Sequence, residues 1–432
     1  MRVSIHKHIP NPEHFKQQLL SWSQQFREVI FLDSNSYLQE YSSFDCLLAV
    51  DAFTSLKTDF HNAFDDLKQY QQTTKDWLLG YLTYDLKNDV EDLKSANFDG
   101  LDFPDLFFFQ PKKIFLLKEN QLEIQYLMMC DDELEDDFEE IVQNNDEPFT
   151  TLSNPETSGK VQQRISKESY FEKVTKMLSH IHAGDMYEAN FCMEFFLENA
   201  VINPLEKFQK LNAISQAPFS VFFKNNKQFL LSASPERYLK KVGEKLISQP
   251  IKGTSKRFSD PDEDQKSREF LESDAKERAE NIMITDLVRN DLSHTAQKGS
   301  VEVAELCKIY SFLQVHQMIS TVTSKLDSQY SPTDVLKTTF PMGSMTGAPK
   351  ISVMKIIENL EETKRGLYSG SIGYFTPDGD FDFNVVIRSI LYNQENKYVS
   401  FSVGSAITAQ SVPEKEYEEC LLKAKAMREV LQ

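Results

Sequence analysis

The sequence of 432 residues predicts a protein of the α+β class, built from both helices and antiparallel strands. Between Ser166, a suitable N-cap, and Gly184, a suitable helix end, apolar residues recur at helical spacing. A strand over Tyr187 to Leu197 is expected to follow. Near the end of the chain, strand-like runs alternate with the turn signals PDGD and NQEN, so neighbouring strands there are expected to be antiparallel.

Composition excludes several kinds of partner and compartment. The five cysteines are scattered without a CxxC pair, which favours a reducing cytoplasm over a disulfide framework or a zinc site. No stretch approaches the ~18 apolar residues of a membrane span, and the N-terminus has no apolar signal segment. The net charge of −19 argues against nucleic acid or an anionic membrane as a partner. We therefore expect a small-molecule site, with a local basic pocket for any anionic substrate.

The chain is predicted to divide into a β-rich N-terminal region, residues 1–150, and a catalytic domain, residues 160–432. The acidic and polar stretch from Asp131 to about Lys160 separates them and is typical of a surface connection. Upstream, aromatic runs broken by Pro104 and Pro111 predict short strands with turns. We expect the N-terminal region to pack on the catalytic domain and to intertwine with it.

The tetrad PIKG places Lys252 between a β-branched residue and Gly253, at the expected end of a strand. Removal from water lowers the pKa of an amine toward neutrality, which makes it a nucleophile. The glycine keeps the backbone open to a ligand. The alternative is a solvated turn lysine, which is the more common case for a lysine before Gly-Thr.

Two pairs of glutamates lie at i, i+3 spacing on predicted helices. Glu277 and Glu280 share a face that apolar residues continue, and Glu416 and Glu419 repeat the arrangement on the last helix. If the two helices face each other, four carboxylates would repel unless a hard cation such as Mg²⁺ lies between them. The alternative is two ordinary solvated acidic faces.

The loop PMGSMTGAPK predicts a glycine-rich approach to a helix that begins near Pro349. Helix N-termini of this kind bind anions, and Lys350 adds a positive charge that suits a carboxylate. The loop lacks the GK[ST] ending of a nucleotide-binding loop. Arg388, at the end of the predicted strand VVIRS, is a second candidate for a carboxylate, although arginines at strand ends are more often structural.

The order of eight segments resembles the chorismate-utilising enzymes: GDMYEANF, SASPER, PIKGT, KERAENIMITDLVRNDL, GSMTGAPK, GSIGYF, VVIRS and EKEYEECLLKAKA. The resemblance covers about residues 165 to 430, and it extends more loosely to the N-terminal third through GYLTYDL. It implies packed antiparallel β-sheets wrapped by helices, the anthranilate synthase-like chorismate-binding fold, with the site in a cleft between the sheets.

The resemblance also implies roles for individual residues. Glu280 and Glu419 look like the direct Mg²⁺ ligands, with Glu277 and Glu416 beside them. Glu236, in SPER, matches the general acid that protonates the hydroxyl leaving ring carbon 4, a role that burial would support by raising its pKa. The positions that match contacts to chorismate are Gly253, Thr254, Tyr368, Arg388, Gly404, Ser405, Ala406 and Lys423.

Lys252 distinguishes between branches of this family. Anthranilate synthases typically carry alanine in this tetrad, whereas lysine is the mark of aminodeoxychorismate synthases, in which it attacks ring carbon 2 and forms a covalent intermediate. Ammonia then adds at ring carbon 4 and expels the lysine, giving 4-amino-4-deoxychorismate for 4-aminobenzoate and folate synthesis. The alternatives are an anthranilate synthase component and a catalytically silent scaffold for an amidotransferase.

Some residues depart from the pattern of the family. Gln317 occupies the slot where many relatives carry histidine, and His316 lies one residue early, so either the histidine is displaced into use or the glutamine replaces it. Glu188 stands where near relatives usually have glutamine, and where isochorismate synthases place a basic lysine. Water addition to chorismate is therefore disfavoured.

No cysteine lies in a nucleophile setting of the GxCxG kind, so no glutaminase is expected within this chain. The resemblance implies that ammonia comes from a separate glutamine amidotransferase subunit. No lyase domain follows Gln432, so another enzyme is expected to form 4-aminobenzoate.

Overall fold

The computed structural model describes residues 1–37, 40–143, 159–313 and 315–432. The strands of these residues are β1 (Arg2–His8), β2 (Glu28–Asp33), β3 (Cys46–Thr58), β4 (Leu78–Leu82), β5 (Leu106–Lys118), β6 (Gln121–Leu127), β7 (Gln162–Gln163), β8 (Glu188–Leu197), β9 (Phe219–Asn225), β10 (Gln228–Ser234), β11 (Arg237–Val242), β12 (Lys245–Gln249), β13 (Ile251–Lys256), β14 (Glu302–Ser311), β15 (Val315–Lys325), β16 (Gly347–Ala348), β17 (Ser371–Phe375), β18 (Phe381–Asn384), β19 (Ser389–Asn393) and β20 (Tyr398–Thr408).

The helices of the described residues are α1 (Pro12–Trp22), α2 (Ala63–Thr74), α3 (Lys87–Val90), α4 (Leu134–Gln143), α5 (Lys167–Ala183), α6 (Pro204–Ser215), α7 (Pro261–Ser273), α8 (Ala275–Ser293), α9 (Pro332–Thr339), α10 (Lys350–Leu360) and α11 (Pro413–Leu431). Short 3₁₀ turns lie at Ser23–Gln25, Tyr84–Leu86, Met128–Glu133 and Gly343–Met345. The α+β prediction is confirmed.

The strands form one hydrogen-bonded network that branches at β5. Strand β5 pairs with β3 along one edge, and with β4 and then β6 along the other. One branch continues from β3 through β2, β9, β10, β19 and β20 to β8. The other runs from β4 through β17, β18, β11 and β12 to β15, which also pairs with β13 and β14. Each of these pairings is antiparallel.

The two branches pack against each other, and helices cover the outer face of the first. On β2, Ile30 belongs to an apolar layer that also contains Phe108 and Phe383, from both branches. Its neighbour Phe31 points the other way, into a layer shared with Phe208 of α6 and with α1, α5 and α11. This alternation is the two-residue period of a strand buried on both faces.

The elements predicted from local signals are confirmed. The Ser166 hydroxyl caps α5 by accepting a hydrogen bond from the Ser169 backbone N–H, and Gly184 ends the helix in the left-handed conformation. Strand β8 follows at Glu188–Leu197. The antiparallel strands predicted near the C-terminus are β17 with β18 and β19 with β20.

The predicted break at Pro111 is wrong, because β5 continues through it. Pro111 lies opposite a register shift in β3, after the last residue that pairs with β4, Phe109, and before the first that pairs with β6, Lys113. On that edge no partner strand needs the N–H that proline lacks. The strand predicted at VVIRS is also wrong, since β18 ends at Asn384 and β19 begins at Ser389.

The acidic stretch from Asp131 begins within the packed fold. Its first part forms α4, and Leu134 and Ile141 on that helix are buried in the same layer as α1. The prediction of a surface connection is therefore wrong for this part. Residues 144–158, where the domain boundary was expected, lie outside the described residues, and the division into two domains stays a prediction.

Two observations bear on the environment of the protein. In the described part of the chain, no helix is both long and apolar enough to cross a membrane. All five cysteines are free and buried.

Candidate active site

Lys252 lies in an irregular part of β13. The pairing of β13 with β15 shifts in register between Ile251 and Thr254, so Lys252 and Gly253 sit in the bulge. Gly253 has a φ of 93°, a conformation that other residues rarely adopt, and a Cβ there would lie 3.1 Å from the Glu277 carboxylate. The glycine therefore lets α8 approach the strand that carries the lysine.

The Lys252 ammonium is enclosed and paired with a carboxylate. Its Nζ donates a hydrogen bond to Glu188 Oε1 at 2.7 Å, and the two side chains are 10% and 1% exposed. Burial lowers the pKa of Lys252, but the carboxylates of Glu188, Glu280 and Glu236 outweigh it, so the pKa is raised. Burial thus acts in the expected direction, but the net shift is opposite, because the sequence alone did not reveal the carboxylates around the lysine.

Glu236 has the properties expected of a general acid. It lies between β10 and β11 and is 4% exposed. Burial raises its pKa to about 7, against the opposing effects of hydrogen bonds from Ser344 and Ile251 and of the Lys252 charge. A carboxyl group of this pKa is partly protonated near neutral pH and can donate a proton there. The predicted effect of burial is confirmed.

The two glutamate pairs lie on helices that come together around one lysine. Lys276 Nζ, on α8, is 3.7 Å from Glu280 Oε1 and 3.5 Å from Glu416 Oε1, on α11. Glu277 and Glu419 add to the same field, and together the four carboxylates raise the pKa of Lys276 despite its partial burial. Burial raises the pKa of Glu280 to about 7. The alternative of two ordinary solvated acidic faces is wrong.

The chemistry of this cluster suits a hard divalent cation. Glu280 and Glu416 are buried, and one oxygen of each, Glu280 Oε1 and Glu416 Oε2, has no hydrogen-bond partner among the described residues. Carboxylate oxygens without partners are ligands that Mg²⁺ accepts. The described residues nevertheless contain no group of three or more acidic, His or Cys side chains already arranged around a metal position. Lys276 stands among the carboxylates instead.

The predicted contacts on the last strand and helix are brought together. Lys423 Nζ donates hydrogen bonds to the Gly404 carbonyl at 2.8 Å and to Glu419 Oε1 at 2.7 Å, which ties α11 to β20. Ser405 is fully buried and its hydroxyl lies 3.0 Å from the Tyr170 hydroxyl. Ala406, the next residue, pairs with Asn190 on β8. Gly404 to Ala406 thus lie on β20 beside β8, the strand whose first residue is Glu188.

Arg388 has a guanidinium that makes no side-chain hydrogen bond or ion pair with another described residue. The residue is half-buried, with a φ of 53°, in the turn before β19. Burial lowers its pKa against the opposing charges of Tyr368 and Glu419, and no side-chain hydrogen bond contributes within the described residues. Tyr368 is buried and its hydroxyl lies 3.8 Å from Cys192 Sγ. A guanidinium that has no such partner and lies near Glu419 of the acidic cluster is suited to bind a carboxylate of a ligand.

Two of the predicted substrate contacts, Lys350 and Thr254, have surroundings that the sequence did not indicate. Lys350 Nζ donates to Asp291 Oδ2 at 2.6 Å and to the Thr339 carbonyl at 3.1 Å, so its charge is already paired at the start of α10. Thr254 is exposed on β13, opposite Gln317. Lys350 therefore serves the packing of α8 against α10 in this arrangement.

The two candidates on β15 have different surroundings. The His316 ring nitrogens lie 2.8 Å from Ser311 Oγ and 3.2 Å from Asp264 Oδ1, so both are engaged by α7 and β14. Gln317 is buried, and its Oε1 has no hydrogen-bond partner among the described residues. This arrangement favours the alternative in which the glutamine takes the slot of the family histidine.

Sequence reasoning missed two residues. Lys276 directly precedes the first glutamate pair and lies four residues before Glu280, a spacing that does signal an ion pair. Asp291 is 59 residues from Lys350 in the chain, and no local pattern predicts their contact.

The chain matches the family model of the chorismate binding enzymes over residues 27–429, and it belongs to that family. It is 39% identical to aminodeoxychorismate synthase component 1 of Escherichia coli over 258 residues, 60% of this chain and 56% of that protein. It is 33% identical to the chloroplastic aminodeoxychorismate synthase of Arabidopsis thaliana over 392 residues, 86% of this chain but only 42% of that protein. The chain thus spans about half the length of these relatives.

Other members of the family are also similar. Anthranilate synthase component 1 of Thermus thermophilus is 33% identical over 354 residues, 81% of this chain and 76% of that protein. The crystal structure of anthranilate synthase component I from Streptococcus pneumoniae superposes with a TM-score of 0.77 at 24% identity, covering 91% of this chain and 94% of that one. The predicted fold is thereby confirmed.

Proposed function

We propose that this chain converts chorismate and ammonia into 4-amino-4-deoxychorismate, for 4-aminobenzoate and folate synthesis. The observation that carries the proposal is the position of Lys252. Its enclosed ammonium faces the acid Glu236 and the acidic helix α8. At the position of Lys252, the anthranilate synthases of this family typically carry alanine. A lysine in such a place can act as a nucleophile once it has lost a proton.

In the proposed reaction, the neutral amine of Lys252 forms a bond to ring carbon 2. The ring double bonds shift toward carbon 4, the bond to the carbon 4 oxygen breaks, and Glu236 donates the proton with which that oxygen leaves as water. Ammonia then forms a bond to carbon 4, the double bonds shift back, and the bond between carbon 2 and Nζ breaks. The ammonium formed at carbon 4 gives one proton to the Glu236 carboxylate, which restores the acid. The lysine leaves as a neutral amine because it carried the positive charge in the intermediate.

The acidic cluster is proposed to hold Mg²⁺, with Glu280 and Glu419 as direct ligands and Glu277 and Glu416 beside them. The unpartnered oxygens of Glu280 and Glu416 support a cation in this cluster. Glu419 would have to release Lys423 from its Oε1 or bind through its other oxygen. When bound, the metal would neutralise a carboxylate of the substrate. Lys276 would have to give up its contacts with Glu280 and Glu416.

The remaining contacts are proposed to position the substrate. Chorismate is a dianion, and the charge of the whole chain repels it. Arg388 offers a guanidinium for a carboxylate. Lys423 on α11 and the backbone of β20 from Gly404 to Ala406 are held together by a hydrogen bond, and this part of β20 lies beside β8. Thr254, Gly253 and Tyr368 complete the proposed set, and Lys350 contributes only if it leaves Asp291.

Ammonia is proposed to come from a glutamine amidotransferase partner in the cytoplasm. The five free, buried cysteines suit a reducing compartment. "Component 1" in the name of the Escherichia coli relative supports the existence of a second component. A separate lyase would then release 4-aminobenzoate.

Anthranilate synthesis is the second candidate function, and the match to the Thermus thermophilus protein supports it. A silent scaffold for an amidotransferase is a third, but it gives no physical reason for the buried charges of Lys252, Glu236 and Glu280.

An assay of purified protein with chorismate, Mg²⁺ and ammonium, with products identified by mass spectrometry, separates these candidates. We expect 4-amino-4-deoxychorismate, which an added aminodeoxychorismate lyase converts to 4-aminobenzoate. Lys252→Ala should abolish it, whereas Lys256→Ala, an exposed lysine on the same strand, should not. Anthranilate with pyruvate as the main products would contradict the proposal, and so would the absence of turnover with an amidotransferase partner present.

A further inference from the structure

Glu188 and Lys252 form a hydrogen-bonded ion pair in the candidate site. The residues are 64 positions apart in sequence, and their side chains meet at 2.7 Å with almost no exposure to solvent. The second oxygen, Glu188 Oε2, is buried and has no hydrogen-bond partner among the described residues. The carboxylate therefore has capacity for one more proton or donor.

The backbone holds Glu188 rigidly in this position. It is the first residue of β8 and pairs with Ala348 of β16 on one side and with Thr408 of β20 on the other. A Cβ on Gly347 would lie 2.1 Å from the Glu188 carbonyl oxygen, so only glycine permits this approach. The backbone of Glu188 therefore cannot shift away from Lys252 without disturbing two strand pairings.

The charges that face Lys252 come from four elements: Glu188 on β8, Glu280 on α8, Glu236 between β10 and β11, and Glu419 on α11. Together these carboxylates raise the pKa of the lysine despite its burial. Of the four, Glu188 is the one for which a hydrogen bond to Nζ is found among the described residues. A nucleophilic lysine needs an acceptor for its proton, and Glu188 is the carboxylate that already accepts a hydrogen bond from it.

We propose that Glu188 is a catalytic base that takes the proton from Lys252 and later returns it. This inference rests on the proposed function. One proton moves from Nζ to a Glu188 oxygen, and the amine then bonds to ring carbon 2 with its free electron pair. After ammonia has added and the bond to Nζ has broken, the neutral amine takes the proton back from the Glu188 carboxyl group. The pair is restored, with no proton gained or lost from solvent.

The proposal predicts a particular dependence on pH. In the wild-type protein the proton stays within the pair, so its transfer does not require free hydroxide. With Glu188→Gln, Lys252 must lose its proton to solvent, and the reactive fraction then rises about tenfold per pH unit below the pKa of the lysine. Contributions from Glu236, Glu280 and Glu419 are common to both proteins and cancel in the ratio of their rates.

The experiment measures the rate of adduct formation on Lys252 with chorismate and Mg²⁺, without ammonia, by rapid quenching and intact-protein mass spectrometry. We expect Glu188→Gln to react roughly 10²-fold more slowly than wild type at about pH 6. The ratio of the Glu188→Gln rate to the wild-type rate should rise about tenfold per pH unit at pH values below the pKa of the lysine. Glu198→Gln, an exposed glutamate just beyond β8, is the control and should follow the wild-type profile.

Glu188→Asp provides a second variant if the glutamine protein folds poorly. It keeps a carboxylate, so its rate should be lower than that of wild type at every pH. The ratio of the Glu188→Asp rate to the wild-type rate should not change with pH. Equal pH profiles for wild type and Glu188→Gln, with normal product formation, would overturn the role of Glu188 and leave the proposed function intact. Absence of an adduct in wild type together with anthranilate as product would instead overturn the proposed function itself.

Discussion

The ammonium of Lys276 on α8 lies 3.5 Å from the Glu416 carboxylate on α11, among the four carboxylates proposed to bind Mg²⁺. In this arrangement a lysine supplies the positive charge that the cluster needs. A divalent ion would occupy the same field and compete with it.

Replacement of Lys276 by methionine is therefore expected to strengthen metal binding. Without the competing ammonium, the Kd for Mg²⁺ should fall about tenfold, equivalent to ~1.4 kcal/mol, as measured by isothermal titration calorimetry. The metal-free variant should also unfold at lower temperature, because four carboxylates lose their counter-charge. Lys425→Met, an exposed lysine on α11, is the control. An unchanged or weaker affinity for Mg²⁺ in Lys276→Met would contradict the competition.

Burial of Glu236 makes the stability of the protein depend on pH. Its folded pKa of about 7 lies above the ordinary value of 4.5, so the folded state binds more protons between these two pH values. Stability from this group is present below about pH 4.5 and is lost as the pH rises to about 7. Relative to wild type, Glu236→Gln should gain about 3 kcal/mol of unfolding free energy across this window. Urea titrations at several pH values test this, and a difference that does not vary with pH would contradict it.

Arg388 and Arg365 should respond oppositely to replacement by methionine. Arg388 has an unused guanidinium, so Arg388→Met should raise KM for chorismate roughly 10- to 100-fold with little loss of stability. Arg365 is buried and bonded to Glu361 at 2.7 Å and to the Met345 and Asn190 carbonyls. Arg365→Met should therefore destabilise the fold by roughly 3–5 kcal/mol. Steady-state kinetics and thermal unfolding of both variants test the contrast, and an unchanged KM in Arg388→Met would remove that residue from the substrate site.

The pairing of Lys350 with Asp291 predicts a structural effect first. Lys350→Met leaves a buried carboxylate unpaired, and we expect a loss of roughly 3 kcal/mol in unfolding free energy. The double variant Lys350→Met with Asp291→Asn should recover much of that loss. If Lys350→Met instead keeps its stability and raises KM strongly, the original assignment of Lys350 to the substrate would be correct.

The parts of the fold that depend on local sequence could be predicted. Helix α5 and strand β8 follow from a cap, a glycine and the period of apolar residues, all within about one element. The i, i+3 spacing of the glutamates likewise identified the acidic faces of α8 and α11. Strand continuity through Pro111 could not be predicted, because it depends on where two other strands end along β5.

The charge state of the site was not predictable for the same reason. Burial of Lys252 was one of two alternatives that its neighbours allowed, and burial does lower the pKa. The opposing carboxylates come from β8 and α8, and only the tertiary structure places Glu188 at 2.7 Å. The sign of a pKa shift is a balance of such contributions, and here the carboxylates contributed by distant parts of the chain together outweigh burial.

The most direct test of the nucleophilic role of Lys252 is peptide mapping by mass spectrometry after incubation with chorismate and Mg²⁺ without ammonia. We expect the peptide that contains Lys252 to gain the mass of chorismate less one water, and to lose it again when ammonium is added. The same peptide should remain unmodified in Lys252→Ala and become modified in Lys256→Ala. An adduct that persists in Lys252→Ala, or wild-type protein that forms 4-amino-4-deoxychorismate without ever carrying one, would contradict the covalent mechanism.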